Sequence, residues 1–83
     1  MNRVTLYSKP GCHLCDVAKQ VIQAVQQRRK FSLEVRNIEN DSADLDRFRN
    51  DIPVIAVNGH EIARHRLSDA RLEWGLDTYD ESE

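Results

Sequence analysis

Apolar positions recur along the chain first at every second residue and then at helical spacing, and the succession predicts alternating strands and helices. Arg3-Val4-Thr5-Leu6-Tyr7 is a β-branched and aromatic run that reads as a strand over about residues 3–8. Leu14, Val17, Ala18, Val21, Ile22 and Val25 then fall on one helical face, which predicts a helix from about Cys12 to Arg29 with Leu14 in the core. Its polar face carries Asp16, Lys19, Gln20, Gln23 and Gln27, and the Arg28-Arg29-Lys30 cluster suits the negative end of the helix dipole. Phe31, Leu33 and Val35 alternate with Ser32, Glu34 and Arg36, a half-buried strand running to about Ile38. Strand, helix and strand in this order imply a parallel pair with a right-handed crossover.

In the second half, Asn40-Asp41-Ser42 offers N-cap oxygens for a short helix with Leu45 and Phe48 on its apolar side and Arg47, Arg49 and Asp51 in solvent. Val54-Ile55-Ala56-Val57 is uninterrupted and apolar, as a strand covered on both faces should be. Asn58-Gly59 is a strong hairpin signal, so His60-Glu61-Ile62-Ala63-Arg64 should return antiparallel to it. Ser68 caps a last helix over residues 69–74, with Leu67 and Leu72 placed for a hydrophobic staple, Trp74 packing on the sheet and Gly75 as the stop. The expected order is β-α-β-α-β-β-α. It occupies residues 1–76, with residues 77–83 as an acidic tail that frays.

Composition narrows the classes. The chain has 83 residues, room for one small domain. Twelve basic against fourteen acidic residues give a formal charge of -2, so neither nucleic acid nor a membrane surface is an expected partner. No apolar run approaches a membrane span, and the N-terminus lacks the basic and apolar regions of a signal peptide. A cytoplasmic location is expected. In a reducing compartment, two cysteines at close spacing point to catalysis or metal binding more than to a permanent staple.

Those cysteines are Cys12 and Cys15, at the point where strand pattern gives way to helix pattern. Free N–H groups and the positive end of the dipole stabilise an anion at a helix start, and a thiolate is an anion. Lys9 adds positive charge upstream, and Pro10-Gly11 supplies the tight connection. Residues three apart on a helix are neighbours, so the two sulfurs can form a disulfide. Cys12 is the expected exposed nucleophile and Cys15 the resolving thiol. Two other readings compete: a pair of small core residues, and a zinc site using Cys12, Cys15, His60 and His65. The long gap from Cys15 to His60, and a strand on which His60 and His65 point to opposite faces, favour redox chemistry. No resident metal is expected.

Lys9-Pro10-Gly11-Cys12-His13-Leu14-Cys15 after a first strand, Ile52-Pro53 before an apolar strand and Asn58-Gly59 after it resemble the glutaredoxin branch of the thioredoxin fold. The resemblance extends to about Trp74. It is closest to the small glutaredoxin-like proteins with Cys-His-Leu-Cys in place of Cys-Pro-Tyr-Cys. It implies an α/β architecture, a mixed four-stranded sheet with helices on both faces. It further implies that Cys12 is the nucleophile, Cys15 the resolving thiol, Lys9 a contact for a glutathione carboxylate and Pro53 a cis-proline. The residue before that proline, Ile52, offers backbone hydrogen bonds to the thiol partner. His13 stands where the family usually has proline, and an imidazole there favours the Cys12 thiolate. Ala63-Arg64 replaces the usual Gly-Gly pair, and Asp69 comes later than the family's acidic helix start.

The implied activity is thiol-disulfide exchange by a monomer on protein disulfides or glutathione mixed disulfides. Glutathione acts as co-substrate, no cofactor is tightly bound, and glutathione or a reductase restores the dithiol. The alternatives are a binding module that holds an iron-sulfur cluster or metal through Cys12 across a dimer, and a redox-inactive adaptor for protein contacts. Retention of Cys15 and Lys9 favours the enzyme.

Overall fold

A computed structural model describes residues 1–81. Its elements are β1 (Arg3–Ser8), α1 (His13–Gln26), β2 (Ser32–Asn37), α2 (Ser42–Phe48), β3 (Val54–Val57), β4 (His60–Arg64) and α3 (Asp69–Thr78), with one short 3-10 turn at Ile38–Asn40. The expected order holds. The sheet runs β2-β1-β3-β4, with β1 parallel to β2 and antiparallel to β3, and β3 antiparallel to β4.

Strand alternation divides the sheet between two cores. Val4 and Leu6 of β1 pair with Val57 and Ile55 of β3, and this face packs on Ala18, Ile22 and Val25 of α1 and Leu72 and Leu76 of α3. Tyr7 pairs with Val54 on the opposite face, where Ile38, Phe48, Leu45 and Ile52 cover it from the α2 side. Every residue of β3 is buried, as its unbroken apolar run requires. The hairpin turn places Asn58 at φ 51° and Gly59 at φ 86°, the two positive angles that asparagine-glycine tolerates.

Capping follows the sequence closely. The Asp41 carboxylate accepts from the amides of Ala43 and Asp44 at the start of α2, and the Ser68 hydroxyl accepts from Arg71 N–H at the start of α3. Leu67 and Leu72 lie together in the larger core, as the staple requires.

Four expectations change. α1 ends at Gln26, so Arg28 and Arg29 lie beyond its last turn, where their partners are acids of α3 and not the helix dipole. Arg28 pairs with Asp69 and Glu73, and Arg29 with Glu73 and Asp77, a row spaced one turn apart. Trp74 is 43% exposed, with the Arg71 guanidinium stacked over it at 4.1 Å. Gly75 does not stop α3. It lies mid-helix against the sheet, where a Cβ would stand 2.9 Å from Ile62 Cδ1 and 3.0 Å from its Cγ2. Finally, residues 79–81 do not fray. Asn58 Nδ2 donates to the Tyr79 carbonyl, Asn2 Nδ2 to Asp80, and the Glu81 amide to Asn2 Oδ1. Ser82 and Glu83 of the expected tail lie outside the described residues.

The Gly75 contact predicts the cost of a methyl group. Overpacking of about 1–3 kcal/mol outweighs the roughly 1 kcal/mol that alanine gains in helix propensity. Gly75→Ala should therefore lose about 1 kcal/mol in urea unfolding, and less when Ile62→Val has removed the Cδ1 it meets. A G75A protein as stable as the parent would contradict this packing.

Candidate active site

β1 delivers its C-terminal end to a three-residue turn. Lys9, Pro10 and Gly11 reverse the chain, Gly11 at φ 80°, and the Cys12 amide donates back to the Lys9 carbonyl at 3.4 Å. Cys12 then caps α1 in an extended conformation. Its Sγ accepts from the Cys15 N–H at 3.2 Å, and its carbonyl accepts the first helical bond from the Asp16 N–H at 3.2 Å. Cys12 thus has the place usually filled by serine or aspartate, with sulfur as the capping atom.

Cys12 and Cys15 are joined as a disulfide with their Cα atoms 5.2 Å apart, inside the ordinary range for such a bridge. The two differ in access. Cys12 is half-buried, whereas Cys15 is 4% exposed against the core side of α1. When the bridge opens, negative charge on Cys12 Sγ faces the Cys15 amide and the positive end of the α1 dipole. His13 is exposed as the first residue of α1, on the solvent side of the pair. Lys9 is exposed, has no carboxylate within 4.0 Å among the described residues, and lines an open recess of about 220 Å³ with Ser8, Pro10, Cys15 and Asp16.

Register brings Pro53 to the same end of the sheet. Tyr7 pairs with Val54, so Pro53 stands beside the Ser8 end of β1, just before the cysteine turn. The Ile52–Pro53 peptide is cis, Pro53 is buried, and Ile52 packs on the α2 core. The Pro53 carbonyl accepts from the His65 N–H at 2.7 Å, which ties the loop after β4 to this corner. There Arg64 pairs with Asp51 at 2.8 Å and with Glu61, holding the Glu61 carboxyl below the usual carboxylate range through that hydrogen bond.

Asp69 is not brought to the cysteines. Its Oδ2 pairs with Arg28, past the C-terminal end of α1, and its Oδ1 accepts from the Ala70 amide. His60 is at the other end of the sheet, opposite Val57 and stacked on Tyr79 at 4.2 Å, while His65 follows β4 at φ 67°. Among the described residues no group of three or more His, Cys, Asp or Glu is arranged to hold a metal ion.

Leu14 and Val17 are the residues that periodicity misplaced. Leu14 is half-buried and Val17 is 41% exposed, and both line an open groove between α1 and the segment linking β4 to α3. Helical spacing gives the face on which a residue lies. It does not say how far the covering layer extends.

A family model described as "Glutaredoxin-like domain (DUF836)" matches residues 3–77. The chain belongs to this glutaredoxin-like family. A curated relative, the "Glutaredoxin-like protein YDR286C homolog" of Dictyostelium discoideum, is 33% identical over 81 residues, covering 90% of this chain and 75% of that protein. The X-ray structure of protein XcR50 from X. campestris is 29% identical, with a TM-score of 0.72 over 90% of this chain and 96% of that one. A thioredoxin from Halobacterium salinarum superposes with a TM-score of 0.70 over 99% of this chain and 77% of its own at 10% identity, a likeness of fold alone. The glutaredoxin-like domain therefore has the thioredoxin fold. No helix among its described residues is long and apolar enough to cross a membrane.

The difference in access between the cysteines is directly measurable. In the reduced protein, brief treatment with iodoacetamide should alkylate Cys12 at least about tenfold faster than Cys15, read by fragmentation mass spectrometry. Equal labelling would contradict the assignment of Cys12 as the outer thiol.

Proposed function

We propose that this glutaredoxin-like domain is a thiol-disulfide oxidoreductase. The observation that carries the reading is the sulfur of Cys12 at the N-cap of α1, accepting the Cys15 N–H, with Cys15 close enough to bridge to it and itself withdrawn from solvent. One sulfur is thereby offered to a substrate and the other kept for the second step.

The Cys12 thiolate attacks one sulfur of a substrate disulfide and displaces the other as a thiolate, which takes a proton. Cys15 then loses its proton and attacks Cys12 Sγ, forming the intramolecular disulfide and releasing the second substrate thiol. The substrate gains two electrons and the protein loses two. Two equivalents of a monothiol such as glutathione, or a dithiol reductase, restore the starting state. The substrates proposed are protein disulfides and glutathione mixed disulfides, handled by a monomer in the cytoplasm.

The other proposed roles follow from position. The exposed Lys9 ammonium and the α1 dipole attract an anionic thiol partner to Cys12. His13 adds positive charge beside Cys12 when protonated. The backbone of Ile52, next to Pro53, is the hydrogen-bonding edge for the partner's main chain. Asp69 has no part in this scheme, because Arg28 and the start of α3 engage its carboxylate. Of the competing readings, a cluster held by Cys12 across a dimer leaves the placement of Cys15 without a use.

The two-step scheme makes the cysteine variants behave differently. With a glutathione mixed disulfide as substrate, Cys15→Ser should accumulate a covalent adduct on Cys12, visible as a mass increase that reductant removes. Cys12→Ser should form no such adduct and should lose turnover by roughly a thousandfold or more. Full turnover by C12S would overturn the proposal.

A further inference from the structure

The groove that Leu14 and Val17 line has a composition that the exchange chemistry alone does not require. It is open, with a volume of about 510 Å³, and is lined by Leu14, Val17 and Ala18 of α1, Arg64 of β4, Arg66 of the following loop and Arg71 of α3. No carboxylate lines it, although the chain as a whole is acidic, with a formal charge of -2.

The three arginines are not equivalent. Arg64 is answered by Glu61 and Asp51. Arg66 and Arg71 have no carboxylate within 4.0 Å among the described residues, whereas Arg28, Arg29 and Arg36 elsewhere on the surface each have two. Arg71 is nevertheless held in place, its Nε donating to the Ile62 carbonyl at 2.8 Å and its guanidinium stacked on Trp74. Its remaining N–H groups are left for a ligand, at a lower ordering cost than a free side chain would incur. Of the apolar residues Val17 is exposed and Leu14 half-buried, and Leu14 lies between the two cysteines in sequence.

We infer that this groove docks the protein segment flanking the disulfide under attack, with an apolar side chain on Leu14 and Val17 and carboxylates on Arg66 and Arg71. Charge complementarity selects an acidic segment and excludes a basic one. The inference rests on the oxidoreductase reading and adds a substrate class to it: disulfides flanked by leucine-like and acidic residues.

The test uses two cysteine peptides, each joined by a disulfide to 2-mercaptoethanol. One has a leucine and two glutamates beside the cysteine, and the other has lysines in place of the glutamates. Hydroxyethyl disulfide is the uncharged reference. The reduced protein gives two electrons to each disulfide and releases the two thiols. Rates for each peptide are divided by its rate with dithiothreitol, which removes intrinsic differences in reactivity.

At low ionic strength the acidic peptide should react about five- to tenfold faster than the basic one, and the ratio should fall towards one near 1 M salt. Arg66→Glu should invert the ratio. The ratio is the readout, so a general loss of activity in the variant does not affect it. If the reference disulfide is reduced but the peptide ratio is near one and R66E does not move it, the docking inference is overturned and the enzyme stands. If none of the three disulfides is reduced, the oxidoreductase reading fails and the docking inference fails with it.

Discussion

β1 is a central strand, held by β3 up to Tyr7 and by β2 up to Ser8. Only Lys9, Pro10 and Gly11 then separate that fixed point from Cys12, the cap of α1. The position of Cys12 Sγ is therefore set by the sheet and not by a long loop. The same constraint explains the inequality of the cysteines. A residue at the cap must leave the helix axis, whereas one turn inside, at Cys15, the stripe that carries Ala18, Ile22 and Val25 turns towards the sheet.

Charge is distributed unevenly around this frame. Two groups of acids are paired away from the cysteines: Asp69, Glu73 and Asp77 on Arg28 and Arg29, and Asp41 and Asp44 on Arg36. Individually such exposed pairs are worth about 0–1 kcal/mol. The first group registers α3 against the end of α1, while Lys9 in the cysteine turn and Arg66 and Arg71 in the groove have no carboxylate partner among the described residues. The far end of the sheet is tied differently, by side-chain and main-chain hydrogen bonds that link Asn2, Asn58 and residues 79–81.

Much of this was legible in the sequence because it is local. The strand-to-helix change at Cys12, the Asn58-Gly59 hairpin and the caps at Asp41 and Ser68 each depend on a few neighbouring residues. What was not legible depends on residues distant in sequence. Gly75 reads as a helix stop until Ile62 is placed against it, and Ile62 is there because the β3–β4 register shifts between Ile55 and Ala56. Arg28 and Arg29 read as dipole partners until α3 presents its acidic row. Leu14 reads as core, on one face with Val17, because periodicity records direction but not coverage. Asp69 matched an expected site residue by type and rough position, yet its carboxylate faces the helix pair. The cis peptide at Pro53 came from resemblance, since nothing in the flanking residues demands it.

The central claim is that Cys12 and Cys15 form a reversible dithiol-disulfide couple. Its most direct test is to equilibrate the protein across a series of glutathione redox buffers, quench with an alkylating agent and weigh the species by mass spectrometry. An intramolecular Cys12–Cys15 disulfide should form and open within the range these buffers span, around the cytosolic glutathione poise of roughly -220 to -320 mV. A pair that stays fully reduced and unmodified in the most oxidising buffer would contradict it.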